Sequence, residues 1–185
     1  MTGVEDGGRN DRRVGVYPGS FDPPTVAHLA VSEAAVEQHA LDELVWMVSH
    51  SALGKGEIEQ PPFERRIEVL EAVADRHGWL RIEVTELRLL SDIAEPFDVV
   101  IMGADKWHQI HEPRWYDDEL DRAQQLGRLP TPAVAPRGDL PVPDHVRLDV
   151  DPVHSEVSST ASSDGAIHHM LDAAKDYVRR HGRWR

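Results

Sequence analysis

With 185 residues, 33 acidic against 20 basic side chains and a formal net charge of -13, the chain lacks the basic footprint that binding a nucleic-acid backbone requires. Small anionic ligands remain open to it, because a local nest of amides and a few cations outweighs a distant negative surface. The absence of cysteine excludes a disulfide framework, a thiolate nucleophile and a zinc-thiolate site.

The length favours one domain. Residues 1–13, polar and glycine-containing with no periodicity, read as a flexible tail, and 14–185 as the domain. No apolar run reaches the roughly 18 residues of a membrane span, and the polar start does not fit a signal peptide, so a soluble cytoplasmic protein is expected. Val14 to Tyr17 is a β-rich run broken by Pro18-Gly19. Pro23 and Pro24 hold an extended loop. From Thr25 the apolar positions fall at helical spacing, which predicts a helix over about 26–39 with Thr25 as its cap and His28 one turn in.

Leu44 to Ser49 is an unalternating apolar run, as in a strand buried on both faces. A polar loop from His50 to Pro62 carries Lys55 between two glycines. Phe63 to Arg76 reads as a helix, Leu80 to Val84 and Phe97 to Met102 as strands. A helix opens after Gly103 and runs towards Ile110, another covers Trp115 to Leu126, and Thr131 to Ala135 is a fifth strand. Val146 to Val150 alternates as a sheet-edge strand would, and a final helix covers about Ala166 to Arg180. Strands alternating with helices predict a three-layer α/β domain on a parallel sheet of about five strands. Ligands of such sheets bind at the carboxyl ends of the strands, where Gly19, Lys55, Gly103 and Ser158 would converge. His108 with His111, and His168 with His169, lack an accompanying carboxylate pattern and read as surface residues, so no metal site is expected from protein ligands.

A strand leading through a glycine-containing turn into a helix N-terminus suits phosphate, because free amides and the helix dipole converge there. Gly19-Ser20-Phe21-Asp22-Pro23, followed by Thr25-Val26-Ala27-His28, resembles the first motif of the HIGH-type nucleotidyltransferases, with Ala27 where that family usually has glycine. The resemblance implies a Rossmann-like fold and transfer of a nucleotidyl group from a nucleoside triphosphate to a phosphate or phosphomonoester. It assigns catalytic roles to His28, Thr25 and the loop lysine Lys55, and nucleotide binding to Gly19, Ser20 and Phe21. A histidine here can donate to a phosphate oxygen and gain cationic character beside a triphosphate. Thr25 in place of a first histidine makes this motif similar to that of pantetheine-phosphate adenylyltransferases.

The middle of the chain resembles a different branch. Gly103-Ala104-Asp105, Trp115 to Leu120 and Arg137-Gly138 are similar to the G-A-D, W-x-x-x-x-E-L and R-P-G stretches of nicotinate-nucleotide adenylyltransferases. That likeness implies nucleotide binding by Gly103 and Asp105 and stacking of Trp107 or Trp115 on the acceptor. The S-Y-T-x-D-T-L stretch of those enzymes is not visible between Thr85 and Phe97. Val157 to Ser163 resembles the third motif, I-S-S-T-x-I-R. Ser158, Ser159 and Thr160 keep its triphosphate-binding hydroxyls, whereas Ser163 stands where the arginine belongs. Losing one charge-assisted contact removes about 1.5–3 kcal/mol. Lys175, Arg179 and Arg137 are the cations that could replace it. The expected reaction is adenylyl transfer from ATP to nicotinate or nicotinamide mononucleotide, with Mg²⁺ held mainly by substrate phosphates. The alternatives are a pantetheine-phosphate or polyol-phosphate acceptor, or a nucleotide-binding protein with weakened or lost catalysis. Expected partners are ATP and a small phosphorylated acceptor, with neither nucleic acid nor membrane, and a homo-oligomer is possible.

Overall fold

In a computed structural model, residues 12–49, 62–154, 157, 162 and 166–184 are described. Five strands form one parallel sheet: β1 (Val14–Gly19), β2 (Glu43–Ser49), β3 (Leu80–Thr85), β4 (Val99–Gly103) and β5 (Thr131–Ala135), in the order β3-β2-β1-β4-β5. Sequence patterning marks each of them to within two residues at either end, and β5 at both ends. Because β1 pairs with β2 on one side and β4 on the other, the strand order reverses there and opens a crevice at the carboxyl ends.

Side-chain alternation builds two cores from one sheet. Leu44, Trp46 and Val48 of β2 join Val99 and Ile101 of β4 in one core. It lies under α1 (Val26–His39), α2 (Phe63–Ala74) and the C-terminal α6 (Asp172–His181). Val45 and Met47 join Val100 and Met102 in the other, under α3 (Leu90–Ala94) and α4 (Ala104–His111). Both faces of β2 are therefore covered, which is why its five central residues, Leu44 to Val48, are all apolar. Each fully buried aliphatic side chain of this kind adds about 1.5–3 kcal/mol.

Four expectations change. Arg12 and Arg13, placed in the tail, are anchored: Arg12 pairs with Glu43 at 3.0 Å, and the Arg13 N–H donates to Asp42 at 2.7 Å. Val146 to Val150 is not a sheet strand. A 3-10 turn occupies Asp144–Val146, and a single bridge joins Arg147 to Val134. The alternation is real, since Val146 and Leu148 are buried, but Pro132 and Pro136 of the neighbouring chain lack the N–H that would extend a ladder. The helix expected from Trp115 is a 3-10 turn (Pro113–Trp115) and then α5 (Glu119–Gly127), because the Asp118 carboxylate accepts the Asp121 N–H at 2.8 Å and caps the helix there. The final helix starts late. A 3-10 turn (Ile167–His169) ends where Met170 bridges to Thr25, and only then does α6 begin.

Candidate active site

The turn after β1 holds its shape through one aromatic ring. A Cβ on Gly19 would lie 3.0 Å from the Phe21 ring, so glycine lets that ring fold back over the strand end. Phe21 takes a left-handed backbone conformation (φ 45°), which a β-carbon opposes by about 1–3 kcal/mol. In return its ring is buried, stacked on Trp46 at 4.4 Å and edge-on to Tyr17 and His28 at 5.4 and 5.0 Å.

His28 is fixed from several directions. Its Nδ1 accepts the Thr25 backbone N–H at 3.0 Å and lies 2.9 Å from the Thr25 hydroxyl, while its own N–H donates to that hydroxyl at 3.4 Å. This is a capping box in which histidine plays the part usually given to glutamate or glutamine. Behind it the Trp46 indole donates to the Ser32 hydroxyl at 2.8 Å, and Ser32 donates to the His28 carbonyl at 2.7 Å. An amide N–H can only donate, so Nδ1 carries no proton and the neutral ring bears its proton on Nε2. Burial, and secondarily the Arg137 guanidinium, push the His28 pKa down to about 4. The ring is therefore neutral in the free protein, and the cationic character expected of it would be gained only beside a bound triphosphate. At neutral pH His28 is an uncharged Nε2–H donor.

A small cleft, about 50 Å³, opens beside it, lined by Tyr17, His28, Gly103, Pro136, Arg137 and His154 among others. Asp105, in the first turn of α4, folds its carboxylate back over Gly103, where a Cβ would lie 2.6 Å from Oδ1. Burial raises the Tyr17 phenol well above its ordinary value, the Asp105 charge adds to this, and Arg137 opposes it. Tyr17, His28 and Arg137 thus line one opening at the carboxyl ends of β1, β4 and β5, with the Asp105 charge near enough to act on Tyr17. Arg137 is exposed and forms no ion pair among the described residues. Of the cations that could stand in for the missing third-motif arginine, it alone is found in this cleft. Lys175 pairs with Asp172 at 3.3 Å and Arg179 with Asp176.

The family profile described as cytidylyltransferase-like matches residues 16–162. The chain belongs to that family. It is 28% identical over 181 residues to a probable nicotinate-nucleotide adenylyltransferase of Bacteroides thetaiotaomicron, covering 90% of this chain and 85% of the relative. A protein of the same name from Salinibacter ruber is 25% identical over 190 residues, covering 93% and 97%. Among solved structures, the nicotinic acid mononucleotide adenylyltransferase of Plasmodium falciparum complexed with NaAD superposes with a TM-score of 0.68 at 12% identity, over 92% of this chain and 96% of that one. The last likeness confirms the nucleotidyltransferase fold.

Within this cytidylyltransferase-like chain, the fold brings Gly19, Phe21, Thr25, His28, Gly103 and Asp105 to one end of the sheet, and Ser20 continues the same loop. Trp107 packs its half-buried ring against the second core and His111, whose ring lies at 4.3 Å. Trp115 is 54% exposed beneath the Arg114 guanidinium. Lys55, Ser158, Ser159, Thr160 and Ser163 lie outside the described residues. Val157 and Ser162 of the third motif are described, and both are buried. Two lining residues escape sequence reasoning. Tyr17 reads only as a strand residue, and His154 is signalled only by standing four positions before Ser158.

Proposed function

We propose that the chain transfers the adenylyl group of ATP to the phosphate of a pyridine mononucleotide, nicotinate mononucleotide before the nicotinamide form, releasing pyrophosphate. The observation that carries this reading is the meeting of the His28 Nε2–H and the Arg137 guanidinium in one cleft at the strand-order reversal. The names borne by the relatives support the choice of acceptor.

An acceptor phosphate oxygen attacks the α-phosphorus in line. The new P–O bond forms as the bond to the bridging α,β-oxygen breaks, and that oxygen leaves with the electron pair on pyrophosphate. The protein forms no covalent bond and acts by positioning and charge neutralisation. His28 donates from Nε2 to a phosphate oxygen, Arg137 supplies permanent positive charge, and the amides entering α1 add their dipole. Lys55 and the hydroxyls of Ser158, Ser159 and Thr160 are assigned to the triphosphate, Asp105 to a ribose hydroxyl or the adenine amino group, and Trp107 or Trp115 to the acceptor ring. Among the described residues no cluster of three or more histidines and carboxylates forms a metal cage. Mg²⁺ is assigned to the substrate phosphates, where it neutralises charge, and no ligand from the chain is assigned to it.

The test is pyrophosphate release with ATP, Mg²⁺ and a panel of nicotinate mononucleotide, nicotinamide mononucleotide, phosphopantetheine and a polyol phosphate. Release with the pyridine nucleotides, led by the nicotinate form, is expected. Release with phosphopantetheine or the polyol phosphate alone overturns the acceptor. ATP binding without turnover of any acceptor overturns the enzyme reading.

A further inference from the structure

The last residues of the chain lie across the loop that carries the first motif, and they grip it at three successive points. The Trp184 indole Nε1–H donates to Asp22 Oδ1 at 2.7 Å, between residues 162 positions apart. The Leu171 N–H donates to the Pro24 carbonyl at 3.0 Å, and Met170 bridges to Thr25. All of these side chains are buried: Asp22 is 0% and Trp184 3% exposed. Gly182, in the left-handed conformation (φ 85°), ends α6 and reverses the chain, so that Trp184 returns edge-on to Tyr177 at 5.3 Å and reaches Asp22. On the other side, the buried guanidinium of Arg66 in α2 acts on Asp22 through its charge.

We propose that residues 170–184 form a latch on the phosphate loop, in which Trp184, acting through Asp22, is a positioning residue for His28. The route is short. Asp22 adjoins Phe21, whose ring supports the His28 ring, and Thr25 supplies the N–H that His28 Nδ1 accepts. The loop has a left-handed residue at Phe21, so its shape is imposed by its contacts rather than by local preference. Losing the Trp184 bond weakens the set of contacts that hold Asp22 and lets Phe21 and Thr25 shift, and a donor displaced by a fraction of an ångström no longer meets the oxygen on which charge develops.

Trp184→Phe keeps an aromatic ring in the buried site while removing the indole N–H together with the second ring. Two readouts are taken on the full chain. The first, kcat and KM for ATP, rests on the adenylyl-transfer reading. The second, the long-range ¹H–¹⁵N spectrum of the His28 imidazole, does not. Wild type is expected to show one tautomer with the proton on Nε2. W184F is expected to show mixed tautomers and a kcat about tenfold lower, with KM for ATP within about twofold of wild type. Asp22→Asn retains an acceptor oxygen and is expected to keep the wild-type tautomer, whereas Asp22→Ala matches W184F, and combining D22A with W184F does no further harm. A W184F protein with a lower melting temperature but unchanged kcat and an unchanged His28 tautomer overturns the latch. Should wild type transfer no adenylyl group to any acceptor, the reaction reading fails by itself and the tautomer spectrum still decides the latch.

Discussion

At the β1–α1 end of the cleft, His28 is held at Nδ1 by Thr25, at its carbonyl by Ser32 and across its ring by Phe21. Between α4 and α5, by contrast, Trp115 and Leu120 are 54% and 66% exposed, and the Asp118 and Asp121 carboxylates accept from groups of the same segment, the Asp121 N–H on one side and the Asp117 N–H and Gln125 amide on the other. The contrast follows from the chemistry proposed for each end. Oxygens on which charge develops need donors already in place, since any reorganisation adds to the barrier. A flat apolar ring can be gripped by stacking that the ligand itself completes.

The largest effect should come from the pre-built end. His28→Ala is expected to lower kcat by about 10²–10⁴-fold with the circular dichroism of the fold unchanged; a loss below threefold would make the fixed ring incidental. Next, Ser32→Ala strands the Trp46 indole N–H in the core, a loss of about 1–3 kcal/mol in urea unfolding. An equally stable variant would mean that this buried chain of bonds does not brace the helix turn.

The imidazole also titrates in a way that separates the two ends. Its folded pKa of about 4 lies below the ordinary 6.5, so the unfolded chain binds the proton first as pH falls. The stabilisation is complete above about pH 6.5 and is lost towards pH 4, with a slope of up to about 1.4 kcal/mol per pH unit. His28→Gln should flatten the stability profile by close to one proton in that window. The acid limb of kcat/KM should show no His28 inflection near 6.5, and an inflection there that vanishes in H28Q would mean that the ring is not held neutral.

The smallest effect belongs to the open end. Trp115→Ala should leave stability within about 0.5 kcal/mol and raise KM for the pyridine nucleotide by about two- to tenfold, without changing KM for ATP. A rise in KM for ATP instead would reverse the assignment of the two ends.

What could be read in the sequence divides along the same line. The strands and α1 are local statements: β5 is bounded by its prolines, and α1 by Thr25 and its apolar spacing. The phosphate loop is local too, since Gly19 to His28 are neighbours along the chain. Where expectation failed, a distant contact decided. Met170 bridging Thr25 delays α6, and prolines in and beside β5 limit the pairing of Arg147 to Val150 with the sheet to a single bridge. The partner of His28 was legible only as one of three cations. Nothing in the spacing distinguishes Arg137 from Lys175 or Arg179, and only the fold shows the latter two occupied by aspartates in their own helix while Arg137 faces His28. Asp22 and Trp184 stand at opposite ends of the chain, and no sequence pattern relates them.

Ser163 stands where the third motif that this stretch resembles has an arginine, and on the reading proposed above Arg137 supplies that charge. The direct measurement is kcat/KM for ATP in Arg137→Gln, beside Lys175→Gln and Arg179→Gln as controls. Loss of one charge-assisted phosphate contact of about 1.5–3 kcal/mol predicts a ten- to hundredfold fall for R137Q and little change in the other two. An R137Q enzyme as active as wild type, or a matching loss in K175Q or R179Q, would contradict it.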